Sequence, residues 1–234
     1  MNHPSSSQIR IWDLPTRLFH WALAICVIGA IVTVKLGGLW MDWHLRFGVC
    51  ALALVTFRLV WGLIGPRYAR FSQFIVSPVT TWRYLRRHSS TRQRAPGHNP
   101  LGAWSVLALL GLVAYQAITG LFANDDIMVQ GPLASYVSSD LSSSLTGWHK
   151  WTENIIFGLV GLHIVAIVIY RIRGKNLIRP MITGDVPANE LTQGTHAAED
   201  NGKVRLAALL LAIICGSGAW WLIWLASQAA PSFG

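Results

Sequence analysis

Charge is what this sequence has least of. Only 12% of its 234 residues are charged, ten of them acidic, against a hydrophobic share of 53%. A soluble domain carries about a quarter charged residues, so a water-soluble globule is excluded and an integral membrane protein is expected. Cysteine is scarce too: Cys26, Cys50 and Cys215 all fall in apolar runs. They form no C-x-x-C pair, no C-x-x-C-H site for covalent haem attachment and no disulfide framework; all three read as small packing residues. No flavin motif, iron–sulfur cysteine set or nucleotide-binding loop is present, so any dehydrogenase chemistry would lie on another chain.

What is present is apolar length, with a mean hydropathy of +0.43. Runs at about Leu18–Leu39, Trp43–Ile64, Pro100–Ala123, Gly147–Tyr170 and Val204–Ser227 are each long enough to cross a hydrocarbon core roughly 30 Å thick. The first is expected to be a retained span, because no small-residue cleavage site follows it. The second is the weakest, interrupted by Arg46 and Arg58. Asn99 reads as the N-cap of the third, with Pro100 at its first helical position. Between the spans lie a polar N-terminal segment (1–17), an interfacial segment (71–88) and a polar cytoplasmic linker (180–203) that leads to an additional span at 204–228. In the interfacial segment, Ser77-Pro78 and VTTWRYLRRH predict a capped helix with Trp82 and Leu85 on one side and arginines on the other.

Arginine placement predicts orientation. The 65–99 loop holds Arg67, Arg70, Arg83, Arg86, Arg87, Arg92 and Arg94, and the segment after the fourth span holds Arg171, Arg173, Lys175 and Arg179. The loop after the third span has no Lys or Arg but carries Asp125, Asp126 and Asp140. The positive-inside rule then places the N-terminus in the cytoplasm and the C-terminus outside. Trp40, Trp43, Trp148, Trp151, Trp220, Trp221 and Trp224 mark the outer surface. The net charge of +9 is topology, and no nucleic-acid partner is needed to explain it.

Histidine carries the chemistry. His149 and His163 lie fourteen residues apart in one span, so both rings point within roughly 40° of one face, about 21 Å apart along the axis. With the topology above, His44 shares the outer level with His149, and His20 shares the inner level with His163. A lone intramembrane histidine reads as a packing or proton-handling residue; four in two matched levels read as ligands. Two imidazoles per level, from different helices, is what a six-coordinate haem iron requires. Such a set has no open position and favours electron transfer over oxygen binding. Zinc would want four protein ligands, or three and a water. A metal or proton transporter would want acidic partners in the spans, where only Glu153 comes near.

Propionate partners are expected among Arg58 and Lys35, which reach the inner and outer levels from His44 and His20 by the same helical arithmetic, and Arg17, Arg46 and Lys150, each within a turn of a ligand. Snorkelling to headgroups is the alternative for each. Gly48 would admit the macrocycle; Gly102, Gly111, Gly120, Gly158 and Gly161 read as close helix contacts. His3, His88 and His196 read as solvated, while His98 is a candidate for quinone or proton handling.

Over about residues 9–185 the chain resembles the bacterial cytochrome b561 and Ni-Fe hydrogenase-type b cytochrome superfamily. The resemblance rests on WDLPTRLFHW (12–21), HLRFG (44–48), GHNPLGAW (97–104), DDIMVQGPLA (125–134) and WHKWTENIIFGLVGLH (148–163). It implies an all-α integral membrane protein of the bacterial inner membrane. A four-helix transmembrane bundle over 18–179 would hold two b haems on His20, His44, His149 and His163, with the fifth helix outside the shared core. It also implies electron transfer between membrane quinol and a periplasmic or membrane-associated partner such as a c-type cytochrome. The chain would then be a quinone-linked oxidoreductase in its own right or the membrane subunit of a larger dehydrogenase or hydrogenase; an oligomer is compatible with either. The acidic 124–146 loop is expected to be the docking surface for a basic cytochrome.

Overall fold

The computed structural model describes residues 7–86, 96–125 and 129–229. The readings made on His3, His88, Arg87, Arg92, Arg94, Asp126 and the last residues of the 71–88 segment lie outside the described residues. Within them run the helices α1 (Leu14–Leu36), α2 (Met41–Ile64), α3 (Pro78–Arg86), α4 (Pro100–Leu121), α5 (Ser139–Ile172), α6 (Ile178–Thr183) and α7 (Gly202–Ala229). The strands β1 (Gln8–Arg10) and β2 (Asp185–Pro187) pair antiparallel, with Ile9 opposite Val186. By length and composition α1, α2, α4, α5 and α7 are the five helices able to cross a membrane; this is a multi-pass membrane protein.

Helix starts follow polar caps more than hydropathy. At α4 the Asn99 side chain accepts the Gly102 amide at 2.7 Å, the N-cap expected there. Ser138 accepts the Leu141 amide at 3.3 Å and starts α5 eight residues before the apolar run. At 34 residues and about 1.5 Å of rise each, α5 is longer than a bilayer core requires. Its polar first turns hold the preceding loop: Ser142 Oγ donates to the Phe122 carbonyl at 2.8 Å, and the Asn124 amide donates to Thr146 Oγ1 at 3.0 Å. In α3 the Thr80 amide donates to Ser77 Oγ at 3.2 Å. The arginines of α3 do not all oppose its tryptophan as expected, because the Arg86 guanidinium lies 4.6 Å from the centre of the Trp82 ring. Positions four apart share a helix face, so this arginine covers the tryptophan.

The chain divides into two compact units, Met1–Leu18 with Leu59–Ala108 and His163–Ala208, and Phe19–Arg58 with Leu109–Leu162 and Leu209–Gly234. In the first, the segments expected to be a plain tail and a plain linker build a small core. Ile11, Trp12, Tyr68, Val186, Leu191 and Ala198 are buried together. Gly184 has φ 89° and accepts the Ile11 amide at 2.9 Å on its carbonyl. A Cβ there would stand 2.6 Å from the Trp12 carbonyl oxygen, so only glycine suits the position. Asp13 is 1% exposed and takes the Trp61 indole N–H at 2.8 Å. Burial pushes its carboxyl upward, with the bond from Trp61 pulling the other way.

Asp200 joins this unit to the start of α7. Its carboxylate takes Arg10 at 2.5 Å, the Leu14 amide at 3.2 Å and Arg205 at 3.1 Å. Burial raises this carboxyl, but those bonds outweigh it and hold it below the usual carboxylate value. A depressed carboxyl contributes stability above its unfolded value and loses it as pH falls through the folded one. The clasp should therefore hold at neutral pH and release only in acid below the ordinary aspartate range. Charge-assisted bonds to a carboxylate shielded from water are stronger than neutral ones. Asp200→Ala is accordingly expected to speed amide exchange at Ile9 by about tenfold or more, as read by hydrogen exchange, without altering the visible spectrum.

In the second unit Ala219 of α7 is buried with Val49 of α2 and Leu121 of α4. The fifth helix is part of the packing and not an appendage. Gly29 lets Phe47 approach α1: a Cβ at Gly29 would lie 2.7 Å from the Phe47 ring.

Candidate functional site

The second unit contains a cavity of about 210 Å³ lined mostly by apolar side chains of α1, α2, α4 and α5, with His44 and His149 in its wall. The two rings have centres 6.1 Å apart and planes at 87°. Metal–imidazole bonds are about 2.0–2.1 Å and a ring centre lies roughly 1.1 Å behind its nitrogen, so two imidazoles on one metal ion would have centres about 6.2–6.4 Å apart. An edge-to-face contact between rings gives a similar distance. The hydrogen bonds are those a ligand pair would need. His44 Nδ1 lies 2.8 Å from the Ala30 carbonyl oxygen, and His149 Nδ1 lies 2.9 Å from that of Gln116. A carbonyl only accepts, so Nδ1 carries the proton on both rings and Nε2 keeps its lone pair. This is the outer-shell arrangement typical of metal-bound histidine.

The site draws on four helices. Ligand candidates come from α2 and α5, and their carbonyl supports from α1 and α4. Gly120 of α4 makes room for the His149 ring, since a Cβ there would stand 2.9 Å from its Cε1. Gly48, one turn beyond His44, lines the cavity, and a Cβ at that position would meet nothing within 4 Å. The residues present therefore fit a planar group gripped between two imidazoles.

That geometry agrees with the comparison of the chain with known families, in which the prokaryotic cytochrome b561 description matches residues 11–184. The chain belongs to the prokaryotic cytochrome b561 family. As a family member it is a membrane b-type cytochrome, a haem protein of electron transfer. No curated protein and no solved structure matches it.

His20 is half-buried on α1 and belongs to the second unit, beside Trp21 at 5.1 Å. His163 is half-buried on α5 and belongs to the first unit. Arg58 is 3% exposed on α2. Lys35 makes an ion pair with Glu153 at 2.6 Å and lies 5.6 Å from the centre of the Phe157 ring. Arg46 pairs with Asp42 at 2.7 Å across one helical turn. Lys150 lines the cavity beside His149. Arg17 donates to the Ile182 carbonyl at 2.5 Å. His98 packs between Trp12 and Phe74, at 4.8 and 4.6 Å between ring centres. His196 is exposed, and its carbonyl accepts the Tyr68 hydroxyl at 2.6 Å. Gly111, Gly158 and Gly161, expected at close helix contacts, sit in open space: a Cβ added at any of them would meet nothing within 4 Å.

Reading the sequence missed Gln116. Its carbonyl holds the His149 ring, its side-chain amide donates to the His149 carbonyl at 2.9 Å, and its amide oxygen accepts the Thr152 hydroxyl. A visible signal existed: an amide side chain in the last third of a largely apolar span, where an unpaired polar group is costly.

Proposed function

We propose that the chain is a di-haem b-type cytochrome passing electrons across a bacterial inner membrane between the quinone pool and a periplasmic or membrane-associated redox partner. The observation that carries this reading is the His44–His149 pair, two rings at metal-bridging distance with both Nδ1 protons committed to backbone carbonyls. These two would hold the outer haem. His20 and His163, matched in depth by their spacing in the sequence, would hold the inner one, with Arg58 facing its propionates and Lys35, Arg17 and Arg46 as further candidates. The distribution of Lys and Arg among the loops supports an N-terminus in the cytoplasm and a C-terminus in the periplasm.

Haem, when bound, supplies reversible one-electron exchange at iron. The chain's own work would be to hold the group between imidazoles from two helices, a set that favours electron transfer over oxygen binding, with the apolar side chains of the cavity excluding water. A reduced-minus-oxidised absorption spectrum of the purified chain, with a pyridine haemochrome count, tests the reading. Two b haems per chain are expected, and a colourless protein overturns it.

A second reading, the membrane subunit of a larger dehydrogenase or hydrogenase complex, is favoured by one feature. Helix α7 lies beyond the family match and exposes Trp220, Trp221 and Trp224 by 68, 51 and 46%. Isolation from native membranes in mild detergent separates the two by whether other subunits accompany the cytochrome.

A further inference from the structure

The two carbonyls that support the histidines are prepared in the same way. Thr33 on α1 shares its one hydroxyl proton between the Gly29 oxygen at 2.6 Å, the nearer, and the Ala30 oxygen at 3.2 Å. Thr119 on α4 donates to the Tyr115 oxygen at 2.9 Å and to the Gln116 oxygen at 3.0 Å. Ala30 and Gln116 are the residues whose carbonyls take the His44 and His149 rings. Each ring thus rests on the oxygen three residues before a threonine whose hydroxyl reaches that same oxygen. The pattern is written in the sequence as AIVT (30–33) and QAIT (116–119). Both threonines are buried, 4 and 2% exposed, inside apolar helices. Thr119 Oγ1 also stands 3.3 Å from His149 Nδ1 itself.

We propose that Thr33 and Thr119 are a matched pair of positioning residues that aim the carbonyls under His44 and His149 and temper their pull on the ring protons. A helix carbonyl normally spends itself on the amide four residues on. Back-bonding by threonine loosens that ladder and bends the helix locally, which turns the oxygen toward a neighbour. The hydroxyl also takes a share of the oxygen's limited acceptor capacity. A carbonyl so shared draws less on the Nδ1 proton, and the imidazole stays a weaker electron donor. Acceptors at this nitrogen are a recognised lever on ligand basicity and on the metal behind it. Neither threonine needs to touch the haem.

The proposal rests on the reading that His44 and His149 bind one haem, and the test keeps the two apart. Thr33→Val and Thr119→Val, made singly in the full chain, preserve side-chain shape and delete the hydroxyl. Each is expected to retain two haems per chain, to lower the midpoint potential of one haem component in a redox titration, and to leave the other component in place. Near-perpendicular ligand planes give ferric haem a strongly anisotropic low-spin resonance, and that signal should shift in both variants. Thr33→Ser and Thr119→Ser restore a hydroxyl and should return both readouts to those of the unaltered protein. Unchanged potentials and resonance in the valine variants overturn the proposal. If the valine variants lose haem, the serine variants decide: recovery supports the hydroxyl's role and failure to recover overturns it. A His149→Ala chain that keeps both haems would instead sink the parent reading.

Discussion

His149→Ala is expected to lose one of two b haems per chain and to keep the other. The ring is held on three sides: the Gln116 carbonyl at Nδ1, the face of Gly120 and the His44 ring. Deleting it would leave His44 as the one imidazole in the cavity wall. A small side chain in its stead costs about 1–3 kcal/mol of local packing, within what most folds survive. The chain should therefore still insert and bind haem at the inner level. The pyridine haemochrome value should fall by about half, and His44→Ala should give the same half-loss with the same surviving spectrum. His163→Ala should remove the complementary component. If either outer-level change abolishes both haems while helicity by circular dichroism is preserved, the two levels are not independent and the assignment by depth is wrong.

Arg58→Leu is expected to lower the potential of the inner haem. Arg58 is 3% exposed on an apolar helix, a placement that is costly for a guanidinium unless opposite charge answers it. A fixed cation favours the form with the additional electron. At an effective dielectric near 20 and separations on the order of 8–15 Å, the effect is about 1–2 kcal/mol, or about 50–90 mV for one electron. A redox titration that resolves two components should show one displaced downward by that amount. Arg58→Lys, which keeps charge and loses the planar fork, should fall between the two. A titration identical to that of the unaltered chain would leave Arg58 as a structural residue.

The five spans were legible because hydropathy over twenty residues is a sum over many side chains, and single exceptions such as Arg46 and Arg58 do not erase it. His44 and His149 were assigned to one depth because helical pitch turns spacing into depth, and their ring centres stand 6.1 Å apart. The Asn99 cap was legible because a cap is a local bond. Other features were hidden for equally physical reasons. The polar first turns of α5 carry no hydropathy signal, and their helicity depends on Ser138 and on the loop they hold. The β1–β2 pair joins residues about 175 positions apart, and nothing local in Gln8–Arg10 names Asp185–Pro187 as its partner. Arg86 lies over Trp82 and not across from it because a guanidinium binds an aromatic face, an attraction that a count of charged and apolar positions does not contain.

From the residues alone came the membrane setting, the number of apolar helices and the choice of four intramembrane histidines as candidate ligands, all of which depend on composition and on distances along one helix. Only the tertiary structure decided which nitrogen of His44 and His149 carries the proton, that Gln116 and two threonines stand behind them, and that α7 packs through Ala219. These depend on contacts between helices, and the direction of a hydrogen bond across a helix pair is set by rotation about each axis, which no spacing within a single chain segment contains.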